Sequence, residues 1–153
     1  MSQIPHSEPS SVAASVFRYS YNADFSALQT MRDHLRMLPE FLALHEDISH
    51  ALMIIITELM TNAIRHGSNE NSAKSIGLGL TFHQAHITCI IEDNGPGFDR
   101  ASIPDPTSPE HIHRTHGRGL YIVEHLANQV NYEYLNNIMR ILVTVSIDSP
   151  IEE

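Results

Sequence analysis

Polar and apolar positions change their period several times along the chain, and each change marks an element. Residues 16–21 read Val-Phe-Arg-Tyr-Ser-Tyr, the two-residue alternation of a strand. Leu28, Met31, Leu35 and Leu38 then recur at helical intervals, with Asp24 or Ser26 placed to open the helix. Pro39 kinks or ends it, or begins a short second helix through Phe41 and Leu42. The strongest helical pattern covers residues 46–66, where Ile48, Leu52, Ile55, Leu59 and Ala63 form one apolar stripe. Glu58, Asn62 and His66 step by four along the adjacent face, so the C-terminal end of this helix has a polar rim. Gly67 reads as its C-cap, and residues 68–75 as a polar loop. Residues 76–82 and 86–92 predict two antiparallel strands about a tight turn at His83-Gln84-Ala85. Pro104, Pro106 and Pro109 make residues 100–116 a long loop. Residues 119–129 predict an amphipathic helix with Leu120, Val123, Leu126 and Ala127 inward. A last hairpin, 130–135 and 138–147, turns at Asn136-Asn137 in a primed turn.

These elements assemble into one domain over residues 15–148, with 1–14 as a disordered Pro- and Ser-containing arm and 149–153 as a tail. The fold class is α+β (α/β), a two-layer sandwich. A mixed, mainly antiparallel sheet is covered on one face by helices, and the last two strands are expected at its centre. A chain of 153 residues buries enough surface for a real core. The net charge of −9 argues against binding to nucleic acid or to an anionic membrane. Cys89, the only cysteine, excludes an internal disulfide; in a strand pattern it reads as a small buried residue and fits a reducing cytoplasm. The N-terminal residues lack the apolar run of a signal peptide, and the longest apolar stretch, 51–56, is too short to span a bilayer. A soluble, cytoplasmic protein is expected.

Three motifs carry chemistry. In Glu58-Leu59-Met60-Thr61-Asn62-Ala63-Ile64-Arg65-His66-Gly67, Glu58 and Asn62 share a helix face. Asn62 offers a neutral oxygen of the kind magnesium accepts beside phosphates and water, and Glu58 is one turn away from it, a base for an attacking hydroxyl. The alternative is a solvated helix face. In Asp93-Asn94-Gly95-Pro96-Gly97-Phe98, an acid at a strand end is followed by two glycines that let a base approach the backbone. A buried carboxylate there suits an adenine amino donor; an ordinary Asx turn explains the same residues. Gly117-Arg118-Gly119-Leu120 opens a helix whose free N–H groups and dipole suit an anion. No Lys-Ser/Thr follows, so it is not a Walker loop.

Other constellations are set aside. His111, His113 and His116, with Asp105 and Glu110, fall in the proline-rich loop, which offers metal no rigid frame. His45-Glu46 reads as a helix start rather than a phosphoacceptor pair. No Gly-x-Ser-x-Gly accompanies the eleven histidines.

Taken together, the order and spacing of the three motifs resemble the Bergerat-fold (GHKL) ATP-binding superfamily, and within it the serine kinases that act as anti-sigma factors in bacterial partner-switching systems. The likeness covers residues 15–147. Glu58, Asn62, Ala63, His66 and Gly67 match the family's N-box, Asp93, Gly95 and Gly97 its first glycine box, and Gly117 and Gly119 its second. The resemblance implies ATP and Mg²⁺ as cofactors. Glu58 would be the catalytic base, Asn62 the magnesium ligand and Asp93 the adenine ligand. His66, Gly95, Gly97, Gly117, Arg118, Gly119 and Leu120 would complete the ATP site, residues 100–116 its lid. Arg114 and Arg118 both qualify to meet the γ-phosphate. The implied substrate is a serine or threonine of an anti-sigma-factor antagonist; the other partner is a sigma factor or another regulator, and the protein would be a homodimer. Two further readings use the same motifs: a nucleotide-binding module without kinase activity, and a stand-alone histidine-kinase-like ATP domain. Glu58 favours the serine kinase over the latter.

Overall fold

Backbone pairing follows the alternation in the sequence closely. The computed structural model describes residues 14–69, 71–108, 110 and 118–148. In chain order it contains β1 (Ser15–Asn22), α1 (Ser26–Arg36), α2 (Pro39–Leu42), α3 (Glu46–Asn62), β2 (Ser75–Phe82), β3 (His86–Asp93), α4 (Gly119–Leu126), β4 (Gln129–Leu135) and β5 (Ile138–Ser146). A π turn (Ala63–Gly67) extends α3, and a 3₁₀ turn (Arg100–Ser102) follows β3. The arm, the tail and most of residues 109–117 lie outside the described residues.

The strands form one sheet in the order β1-β2-β3-β5-β4, and all four pairings are antiparallel. This corrects the expectation that the last two strands are central. β5 is inner, inserted between β3 and β4, but β4 is an edge strand. The reason lies in composition. β5 turns Met139, Ile141, Val143 and Val145 into the core, whereas β4 carries Gln129, Asn131 and Glu133 and buries no side chain fully. A polar strand tolerates one unpaired edge and has too little apolar surface for the middle of a sheet. Between them, Asn136 and Asn137 take φ of 53° and 60°, the left-handed pair of the expected primed turn.

α3 is the centre of the helical layer. Leu52, Ile55 and Leu59 are fully buried on the expected stripe, and so are Ile56, Met60 and Ile64 beside it. The extra burial follows from the neighbours: α3 touches α1, α4, β3 and β5, so more than one of its faces is enclosed. By length and composition Glu46–Gly67 is long and apolar enough to cross a membrane; here its apolar residues are core. Cys89 is buried from the sheet side, and burial pushes its thiol up to about 12.

Two helix ends differ from expectation. Gly67 is not a left-handed cap. α3 widens into the π turn, where the Ser68 N–H donates to the Ala63 carbonyl at 2.8 Å, and the left-handed residue is Asn69, at φ 50°. α4 stops at Leu126, which is 38% exposed rather than inward. Ala127 is already extended, and Asn128 donates its N–H to Thr144 and accepts the Ser146 N–H at its side chain, which starts the β4–β5 ladder.

The two helix positions make a stability test. Ile55→Ala leaves a cavity at a fully enclosed site and is expected to cost about 2–5 kcal/mol in urea unfolding. Leu126→Ala should cost under about 1 kcal/mol, because much of that side chain is already in water.

Candidate functional site

A cleft of about 320 Å³ opens between the end of α3, the facing ends of β3 and β5, and the start of α4. Ile91, Met139 and Ile141 make its floor, brought together by the antiparallel pairs Ile91↔Ile141 and Asp93↔Met139. Leu59, Asn62, Ala63 and His66 of the α3 segment form one wall; Gly97, Phe98 and Ile103 form the other. The space is mostly apolar with a few polar groups converging on it, the usual make-up of a small-molecule pocket.

Asp93 ends β3 on the inward parity of the strand and is 9% exposed. Its Oδ1 accepts the Gly95 N–H at 2.8 Å. The Asx turn and the buried acid, posed as alternatives by the sequence, therefore coexist: the turn fixes the carboxylate, and the carboxylate lines the cleft. Burial holds its pKa above the ordinary aspartate value, opposed by the Gly95 hydrogen bond and the Lys74 charge. Gly67 sits directly on this carboxylate. A Cβ there would overlap the Asp93 carboxyl atoms, so the residue is fixed by close approach. On the far side Gly97 has φ 71°, and a Cβ on it would come within 2.6 Å of the Tyr134 ring.

The polar rim of α3 meets the start of α4. A Cβ on Gly119 would lie 2.7 Å from Glu58 Oε2 and 3.3 Å from Asn62 Nδ2, so both side chains reach the first residue of α4. Glu58 and Asn62 are half-buried there. A carboxylate, an amide and the N–H groups of a helix N-terminus thus share one corner of the cleft. His66 lines the mouth and is exposed; Leu120 is buried beneath. Arg118 is exposed at the N-cap of α4. Gly117, Arg114 and the three loop histidines lie outside the described residues; among the described residues no three His, Cys, Asp or Glu side chains converge as a metal site. His45 caps α3 by accepting the Asp47 N–H at 3.4 Å, the helix-start role expected of it.

Several residues of the site had no sequence signal of their own. Ile91, Met139 and Ile141 read only as inward strand positions, and Ile103 as part of a loop. A second hollow, about 360 Å³, was also missed. It lies between α1 and α3, is lined by Arg32, Arg36, His50 and Thr57, and has Glu58 in its wall. Only tertiary packing brings the α1 arginines to that place.

The sequence profile of the histidine kinase-like ATPase domain matches residues 21–144, which contain the whole cleft. The chain belongs to this family. It is 31% identical over 101 residues to the serine-protein kinase RsbW of Oceanobacillus iheyensis, a match covering 62% of this chain and 62% of that one. The match thus spans less than two thirds of that relative's length. The structure of the RsbU and RsbW domains of Rv1364c from Mycobacterium tuberculosis superposes with a TM-score of 0.60 at 15% identity, over 89% of this chain and 33% of that one. The histidine kinase AdeS of Acinetobacter baumannii gives 0.50 at 15% identity, over 87% and 68%. At such identities the two structures speak for the fold alone.

The raised pKa of Asp93 has a sign that can be tested. A carboxyl whose folded pKa lies above its unfolded value stabilises the fold below the unfolded value and loses that contribution as pH rises through the folded one. Asp93→Asn should therefore be no less stable than wild type at pH 7, with any advantage fading as pH falls through the raised folded pKa and gone below the ordinary value of 3.8. Its ATP affinity should fall by about 1–3 kcal/mol, because an amide can present a donor to the adenine amino group. Calorimetry at undiminished affinity would remove the adenine assignment.

Proposed function

We propose that this ATPase domain is an ATP-dependent protein serine kinase and anti-sigma factor of a partner-switching system, phosphorylating a serine or threonine of an antagonist protein and binding a sigma factor or other regulator in the cytoplasm. The observation that carries this reading is the corner where Glu58, Asn62 and the first residue of α4 meet, at one end of a cleft with Asp93 at the other. The name of the RsbW relative supports the kinase class.

In this reading adenine lies on the apolar floor, its amino group donating to the Asp93 carboxylate while Oδ1 keeps the Gly95 N–H. The phosphates run toward α4, where backbone N–H groups at Gly119 favour negative charge. Arg118 or Arg114 adds a cation for the γ-phosphate. The donor set fits magnesium: one neutral side-chain oxygen, from Asn62, leaves room for the phosphate and water oxygens that this ion prefers. Bound there, the ion supplies neutralisation of phosphate charge. The partner's hydroxyl attacks the γ-phosphorus, Glu58 takes the hydroxyl proton, and ADP departs with the electrons of the broken P–O bond. The hollow lined by Arg32, Arg36 and His50 supports this direction of attack, because Glu58 borders it as well as the phosphate corner.

Binding and transfer should separate by residue. Glu58→Gln keeps shape and one acceptor oxygen but removes the basicity, so phosphotransfer to the antagonist should drop by about 10²–10⁴ with ATP affinity nearly constant. Asn62→Ala should weaken magnesium-dependent ATP binding along with activity. A Glu58→Gln protein that phosphorylates its partner at the wild-type rate would remove Glu58 as the base, whereas a wild-type chain that binds ATP and transfers no phosphate would leave only a nucleotide-binding module.

A further inference from the structure

The outer wall of the cleft, Phe98 and Ile103, belongs to the irregular segment after β3, and a strand or helix alone does not hold it. One carboxylate on α4 ties it down. Glu124 accepts Arg100 Nε at Oε1 (2.5 Å) and Arg100 Nη2 at Oε2 (3.0 Å), a two-pronged ion pair. The Tyr132 hydroxyl of β4 donates to the same Oε1 at 2.6 Å. Each partner leads on to the wall. The Arg100 Nη1 donates to the Ile103 carbonyl at 3.4 Å. The Tyr132 ring meets Phe98 edge-on, centroids 5.9 Å apart.

We propose that Glu124 is a positioning residue for the base-binding end of the cleft, setting Ile103 through Arg100 and Phe98 through Tyr132. This rests on the reading of the cleft as an ATP site. Glu124 does not face the cleft; it acts only through the two residues it holds. The hydrogen bonds from Arg100 keep its carboxyl below the usual range, so the pair stays ionised through the neutral region. With Arg100 and Glu124 each about a third exposed, an isolated pair of this kind adds little to folding stability. What the shared carboxylate adds is geometry, since it fixes two otherwise independent loop residues against one helix. A wall displaced by this loss loosens the fit around the base and leaves the phosphate corner at Gly119 in place.

The test compares ATP, GTP and adenosine binding to the full chain by calorimetry and competition. Glu124→Ala should weaken ATP and adenosine alike, by about tenfold, and narrow the preference for ATP over GTP. In phosphotransfer the effect should fall on KM for ATP rather than on kcat. Tyr132→Phe keeps the ring on Phe98 and should show a smaller loss. Arg100→Gln combined with Glu124→Gln should be clearly less than additive. Glu124→Gln, which retains shape and one acceptor oxygen, serves where the alanine variant does not fold. Folded Glu124 variants with wild-type ATP affinity and unchanged base preference would overturn the proposal and leave the network a surface staple. A wild-type chain that binds no nucleotide would overturn the reading of the cleft itself, a result distinct from the first.

Discussion

A helix must come down on the end of a strand with nothing between them. Gly67, at the foot of α3, lies against the Asp93 carboxyl group so closely that no side-chain carbon fits. Gly95 in turn lies against the Gly67 backbone with no space for a Cβ. This three-residue contact sets how far α3 stands from β3, and so fixes the cleft width and where Asn62 and Glu58 stand relative to the acid. The π turn serves it by widening the last turn of α3, and the left-handed step that closes the helix moves on to Asn69. Both glycines of the contact are thus determined by proximity rather than by backbone freedom.

Much of this was legible in the chain. Alternating and helical periods placed nearly every element, because each strand has one covered face and α3 one dominant stripe. The polar rim of α3 was visible because Glu58, Asn62 and His66 interrupt an otherwise apolar helix at a fixed step. Sheet order was harder. The hairpin of β4 and β5 is a local feature, but which of the two pairs with β3 depends on inward apolar residues summed over each strand. The apolar floor of the site was illegible for a related reason: Met139 and Ile141 look like any inward strand residues until the register sets them beside Asp93 and Ile91.

Charge is distributed with the same logic. The chain carries a net −9, yet the most buried acid among the described residues, Asp93, lines the cleft, and Arg32 and Arg36 line the hollow next to Glu58. Arg140 answers the acids of the open sheet face, holding Glu92 at 2.8 Å and Glu133 at 3.4 Å. Both pairs are substantially exposed and serve solubility and strand register more than stability.

The placement of Glu58 in the lining of the second hollow, with its carboxylate reaching Gly119 of the cleft, bears on traffic. The cleft has His66 in its lining, while the hollow opens between α1 and α3. On the proposed kinase reading, a two-substrate reaction in such a vessel would need no compulsory order of addition: spent nucleotide would leave past a docked protein, and a modified protein would depart from a loaded nucleotide site.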